Sequence, residues 1–328
     1  MRVAVVGAGS WGTAFAAMLV RSGRPATLVC RDPQQAIAVN THHRNPRYLY
    51  HLPLPADLGA AALDEVELDR FELVALAVPS RAFDEVAAGV CARLDGSAVA
   101  LSLTKGLDPG SGRRMSELLV DRLGEQRVAV LSGPNHAEEV VRGFPTATVV
   151  AAADRALTRR LQDVVSGPSF RVYTSLDVLG VELYGATKNV VALAAGVSDG
   201  LGFGDNARAA LITRGAAEMF RLGEHMGASW RTAVGMAGMG DLVATCTSSH
   251  SRNRRAGELL ARGVPAGWIE GELGQVAEGL TTAPVLREMA AGHGLEMPIT
   301  DAVCDVAFAG KAPLDALADL MAREPVEE

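Results

Sequence analysis

Cysteine is scarce: Cys30, Cys91, Cys246 and Cys304 are the only four, far apart and with no C-x-x-C pair among them. That spacing offers neither a zinc ribbon nor a disulfide framework, so the four are read as free thiols and no metal site is expected. Aromatic residues make up only 5 % of the chain against 48 % hydrophobic residues in all, which calls for an aliphatic core and argues against disorder. Positive charge is in deficit, with 31 Lys and Arg against 38 Asp and Glu and a net charge of -7. General affinity for nucleic acid is therefore not expected, and the partner should be a small molecule. There is no long charge-free apolar run. The longest apolar stretch, residues 178–201, carries Glu182, Lys188 and Asp199, so it is read as a buried helix and not as a membrane span. Strand-like residues start at Arg2, with no room for a basic segment, an apolar segment and a cleavage site, and a cytoplasmic protein is expected.

What is present divides in two. A chain of 328 residues exceeds the usual single core of roughly 100–200 residues, and two domains are expected, 1–175 and 176–328. In the first, β-branched runs at 2–6, 26–30, 73–77, 98–102, 127–131, 146–151 and 170–173 alternate with helical spacing at 11–22, 81–93, 112–123 and 155–165. This is the pattern of parallel βαβ units and predicts a doubly wound α/β sheet. After about Ser175 the pattern turns helical throughout, at 176–200, 207–226, 251–262, 281–292 and 298–309, so the second domain should be all-α. The acidic end, residues 324–328, is expected to fray.

Gly7-Ala8-Gly9-Ser10-Trp11-Gly12 is G-x-G-x-x-G between a first strand and a helix, the context of a Rossmann-type dinucleotide site. Gly7 permits the tight turn, Gly9 lets a pyrophosphate approach the backbone, and Gly12 permits close helix–strand packing at a positively polarised helix start. At the end of the second strand an NAD enzyme commonly has a carboxylate; here Arg31 comes first and Asp32 follows. Arg31 either pairs with a 2′-phosphate, favouring NADP(H) with NAD(H) possible, or is a solvated loop residue.

Lys188 lies in the apolar run, where an unpaired ammonium is costly, and burial lowers a lysine pKa, which suits a proton donor to an alkoxide. The alternatives are a lysine snorkelling to the surface or paired with Glu182. Asp241, after Gly238-Met239-Gly240, either orients a lysine or caps a helix. Ser251 is a natural N-cap whose helix start, with Arg252, Arg254 and Arg255, offers free amides and cationic forks to a phosphate. Lys105 follows the strand ending near Ser102, where ligands of open α/β sheets bind, or it is a surface lysine. Gly180, Gly185, Gly196 and Gly200 lie in the apolar helix and are read mainly as helix–helix contacts.

The ordered set GAGSWGT at 7–13, NPRYL at 45–49, AVPS at 77–80, TKG at 104–106, GATKN at 185–189, GLGFGDN at 200–206, GMAGMGDLVATC at 235–246, SRNRR at 251–255 and EGLTT at 278–282 resembles the NAD(P)-dependent glycerol-3-phosphate dehydrogenase family, in its bacterial biosynthetic branch. The resemblance implies that Ser10, Trp11, Arg31, Lys105, Ala137, Arg252, Val276 and Glu278 contact the dinucleotide. It implies that Lys105, Gly133, Asn135, Lys188, Asp241, Ser251, Arg252 and Asn253 surround a three-carbon phosphate, with Lys188 catalytic, Asp241 positioning it and Lys105 assisting. The implied reaction is reversible reduction of dihydroxyacetone phosphate to sn-glycerol 3-phosphate for glycerophospholipid synthesis; a homodimer is expected as the commonest assembly of a soluble symmetric enzyme. Asn135-His136 and Tyr50-His51 depart from the family's common Ser-Phe and Pro-Gly; Asn135 can still hydrogen-bond a substrate, and His136 is assigned to packing. The competing readings are a related two-domain hydroxy-acid reductase and a noncatalytic NADP(H)-binding sensor.

Overall fold

The structure, a computed structural model, describes residues 1–324. Of the acidic end expected to fray, residues 325–328 lie outside the described residues. The chain divides into two compact units, one of residues 1–105 and 113–182, the other of residues 106–112 and those from Leu183 onward.

The first unit is an eight-stranded sheet of β1 (Val3–Val6), β2 (Ala26–Cys30), β3 (Gly59–Ala62), β4 (Leu73–Leu76), β5 (Val99–Ser102), β6 (Val128–Ser132), β7 (Thr146–Ala151) and β8 (Phe170–Ser175), in the order β3-β2-β1-β4-β5-β6-β7-β8. All neighbours run parallel except β6 and β7, which pair antiparallel, Val130 opposite Ala151. The doubly wound sheet expected from the sequence is there, with one antiparallel step that an all-βαβ reading did not anticipate. Between strands lie α1 (Ser10–Arg21), α2 (Pro33–His42), α3 (Phe83–Cys91), α4 (Met115–Leu123), α5 (Ala137–Arg142) and α6 (Arg155–Val165).

Both faces of the sheet are covered, as near-continuous apolar strands require. Val3 and Val5 of β1 join Phe15, Leu19 and Phe170 in one core, while Ala4 and Val6 join Val29, Val74 and Val90 in another. This alternation is the two-residue period of a strand. The chain order reverses at β1, flanked by β2 and β4, so the loop after β1 opens at a topological switch point, where α/β sheets bind ligands.

In the second unit the described elements are helical. After α7 (Val178–Gly200), whose first turn belongs to the sheet unit, come α8 (Asp205–His225), α9 (Trp230–Ala233), a π-helical turn (Met236–Gly240), α10 (Asp241–Thr247), α11 (Arg252–Ala261), α12 (Ala266–Leu273), α13 (Glu278–Gly292), α14 (Pro298–Phe308) and α15 (Pro313–Met321). The all-α expectation holds. Helix α7 is the one described helix long and apolar enough to cross a membrane, and it is a core helix: Leu183, Ala186, Val190 and Leu193 are each 0 % exposed. Two of its glycines make the close contacts expected of them. A methyl on Gly196 would stand 1.8 Å from the Arg254 carbonyl oxygen, and one on Gly200 would stand 2.6 Å from the Ala261 side chain.

Candidate active site

The glycine loop is built as its spacing requires. Gly7 has φ +108°, and a methyl there would meet the Ala77 carbonyl oxygen at 2.5 Å; on Gly12 it would meet the Gly7 carbonyl oxygen at 1.9 Å. Gly9 is different. It precedes α1, no side chain caps that helix, and a methyl on Gly9 would meet nothing within 4 Å. Tight packing behind and open space in front of a helix start fit an approaching diphosphate. Ser10 and Trp11 open α1, with the Trp11 ring 5.7 Å from that of Phe15.

At the end of β2, Arg31 is exposed. Asp32 is occupied: its Oδ1 accepts from the Gln34 amide at 2.9 Å and caps α2, with Pro33 at the first helical position. Arg31, next to this cap, is a cationic side chain facing solvent.

Further along the sheet, Lys105 Nζ donates to the Gly133 carbonyl and to Asn135 Oδ1, both at 2.7 Å. Asn135 Nδ2 in turn donates to the Thr148 hydroxyl at 3.3 Å. Gly133 has φ +147°, and a methyl on it would stand 2.9 Å from Thr148 Cα, so only glycine brings this carbonyl to Lys105. The lysine, glycine and asparagine of the first unit are thus one cluster, and Ala137 starts α5 just after it.

The second unit holds the other lysine. Lys188 Nζ lies 3.0 Å from Asp241 Oδ1 and donates to the Thr245 hydroxyl at 2.7 Å, and all three residues are buried. The Thr245 hydroxyl is also 2.6 Å from the Asp241 carbonyl oxygen. Lys188 is therefore neither snorkelling nor paired with Glu182. The latter accepts from the Ser116 amide at 2.8 Å and from the Ser116 hydroxyl, and pairs with Arg114 at 3.1 Å. Burial pushes the Glu182 carboxyl above the ordinary range, against the pull of Arg114.

Asp241 does not cap α10; it is that helix's first residue, delivered by the π-helical turn. The turn closes through the Gly240 amide on the Gly235 carbonyl at 3.0 Å, and a methyl on Gly238 would stand 2.0 Å from the Ala233 carbonyl oxygen. Such insertions recur at functional sites because they re-aim one side chain without breaking the helix. Thr245, one helical turn after Asp241, is a site residue that sequence reasoning did not single out; its i, i+4 spacing from Asp241 is the signal that could have found it. Cys246 beside it is a packing thiol, pushed up to about 12 by burial.

Ser251 caps α11 as expected, its hydroxyl accepting the Arg254 amide at 3.2 Å. Two expectations for this helix start need correcting. The Arg254 amide is not free, and the Arg254 side chain does not add to a phosphate-attracting field, because Asp199 pairs with it at 2.6 Å and Glu258 at 3.0 Å. Arg252 is exposed and donates to the Val276 carbonyl at 3.2 Å. Asn253 is tied into the packing: it donates to Asn189 Oδ1 at 2.8 Å and accepts from the Gly279 amide at 2.8 Å. These bonds gather Arg252, Asn253 and Val276 with Glu278, the first residue of α13.

Against known proteins, the model of the NAD-dependent glycerol-3-phosphate dehydrogenase N-terminus matches residues 2–158 and that of the C-terminus residues 177–318. The chain is 50 % identical over 329 aligned positions to glycerol-3-phosphate dehydrogenase [NAD(P)+] of Thermus thermophilus, covering 100 % of both chains. It is 48 % identical to the protein of the same name from Parafrankia, covering 100 % of this chain and 98 % of that one. Among solved structures, glycerol-3-phosphate dehydrogenase from Coxiella burnetii superposes with a TM-score of 0.93 at 39 % identity, covering 98 % of this chain and 99 % of that one.

Proposed function

The chain belongs to the NAD-dependent glycerol-3-phosphate dehydrogenase family, and from that premise we propose that it reduces dihydroxyacetone phosphate to sn-glycerol 3-phosphate, reversibly, with NADPH as preferred donor and NADH as a second. The observation that carries the reading is the buried Lys188–Asp241 pair joined by Thr245. A buried, paired ammonium is an expensive arrangement for structure alone, and it suits a proton donor held at one place.

The reduced nicotinamide, when bound, supplies a hydride to the C2 carbonyl carbon. Lys188 gives its proton to the carbonyl oxygen as negative charge develops there, and it is reprotonated from solvent. Asp241 holds the ammonium in place before transfer. Arg252, with Ser251 and Asn253 at the start of α11, is assigned to the phosphate, whose binding energy is spent on orientation. Lys105, Gly133 and Asn135 are assigned to the three-carbon substrate, and Lys105 also to the dinucleotide.

The glycine loop, Ser10, Trp11, Arg31 and Ala137 are assigned to the dinucleotide in the sheet unit, and Arg252, Val276 and Glu278 in the helical one. The unit of β1–β8 is then the dinucleotide-binding domain and the helical unit the substrate-binding, catalytic domain. The protein is further read as a cytoplasmic homodimer, the commonest assembly of a symmetric enzyme, and its family membership supports a place in glycerophospholipid synthesis. Product analysis tests the reaction: incubation with NADPH and dihydroxyacetone phosphate should yield the sn-3 phosphate enantiomer. A racemic product, or none, would contradict it.

A further inference from the structure

The NPRYL stretch, residues 45–49, has no part in the assignments above, yet its first residue is 0 % exposed and makes five hydrogen bonds. Asn45 Nδ2 donates to the Ala8 carbonyl at 2.9 Å and to the Thr13 hydroxyl at 2.8 Å. Its Oδ1 accepts from Gln35 Nε2 at 2.9 Å and from the amides of Arg47 and Tyr48, both at 3.1 Å. Gln35 adds a second donor to the Ala8 carbonyl at 2.8 Å. Every polar capacity of the Asn45 side chain is used, and both partners of its amide nitrogen lie in or beside the glycine loop.

Ala8 is the residue between the first two glycines. Its carbonyl and the Gly9 amide share one planar trans peptide, so the two groups point in opposite directions. Two side-chain donors fix the carbonyl on the protein side. The Gly9 N–H is thereby turned to the opposite side of that peptide, and a methyl on Gly9 would meet nothing within 4 Å. The bond to Thr13, in the second turn of α1, ties the same side chain to the helix whose start must receive the diphosphate.

We propose that Asn45 is a positioning residue for the dinucleotide: it aims the Gly9 amide and locks the glycine loop to α1, without touching the ligand. The inference rests on reading this loop as the dinucleotide site. The side chains that hold the Ala8 carbonyl, Asn45 and Gln35, both come from outside the glycine loop.

The test is direct binding of NADPH to full-length Asn45→Ser, read by fluorescence titration, beside adenosine 2′-monophosphate, a probe with the 2′-phosphate and no diphosphate. The NADPH dissociation constant should rise about tenfold or more, the loss of one or two hydrogen bonds, while that of adenosine 2′-monophosphate changes by less than about threefold. Circular dichroism and Tm report whether the variant is folded. Should Asn45→Ser not fold, Thr13→Val removes only the helix-side partner and is expected to shift NADPH binding in the same direction by a smaller factor. An unchanged NADPH constant in a folded variant, or equal weakening of both ligands, overturns the positioning role and leaves the dinucleotide reading standing. A wild-type protein that does not bind NADPH overturns the dinucleotide reading, and this inference with it.

Discussion

Lys188 Nζ and Asp241 Oδ1 lie 3.0 Å apart, with side chains 7 % and 3 % exposed. An ion pair so far from water is weak evidence of stabilisation, since well-packed apolar residues commonly serve as well, but breaking it by removing one partner costs about 3–5 kcal/mol. Lys188→Ala is expected to lower kcat by roughly two to four orders of magnitude, the range of a general acid, with the NADPH dissociation constant within a few-fold of wild type. Asp241→Asn should lower kcat less and also lower Tm. Steady-state rates beside a fluorescence titration separate the two effects, and near-normal kcat in folded Lys188→Ala would remove the residue from the chemistry.

Glycine substitutions should sort by what stands behind them. Gly196 in α7 faces the Arg254 carbonyl oxygen at 1.8 Å from an added methyl, a backbone atom of a neighbouring helix that has no way to yield except by moving α11. Gly196→Ala is expected to destabilise by about 1–3 kcal/mol or more, as overpacking does. Gly89 in α3 is exposed and an added methyl meets nothing within 4 Å, so Gly89→Ala should stabilise by roughly 0.5–1 kcal/mol through helix propensity. Thermal melts of the two variants check the opposite signs.

Glu218 makes stability depend on pH. Its carboxylate accepts from the Ile299 amide at 2.7 Å at the start of α14, but burial dominates and pushes its pKa up to about 7 from 4.5. Because the folded value is the higher one, the stabilisation is complete below about pH 4.5 and is lost as pH rises through about 7. The amount at stake is on the order of 3 kcal/mol. Glu218→Gln should therefore gain Tm relative to wild type at pH 8 compared with pH 5. The same difference at both pH values would show that Glu218 ionises in the folded chain as it does in the unfolded one.

The sheet was legible where apolar β-branched runs met turn residues, and the second half where apolar spacing turned helical. Strand β3, Gly-Ala-Ala-Ala, has no β-branched residue, and it is a strand because β2 offers it an edge. Helix α2 has little apolar periodicity and rests on the Asp32 cap and Pro33. The antiparallel pairing of β6 with β7 is a tertiary choice that no local period encodes.

Within the site, the glycine loop and the Ser251 cap are local signals and could be read from spacing. The approach of Asp241 to Lys188 is not a local signal, because it needs the chain folded through α8, α9 and the π-helical turn; Asp241 was named through the family resemblance, and Thr245 follows from it by i, i+4 spacing. Asn45 illustrates the same limit. Its motif was visible, whereas its bonds to Ala8 and Thr13 span 37 and 32 residues of sequence.

The most direct test of the central claim is the initial rate of NADPH oxidation with dihydroxyacetone phosphate, measured beside hydroxyacetone, which has the ketone without the phosphate. Saturable oxidation with the phosphate and a kcat/KM at least about a hundredfold lower without it is the expected result, as for a substrate whose remote charge is used for orientation. Equal rates with the two ketones, or no oxidation by a folded protein that binds NADPH, would contradict the assignment.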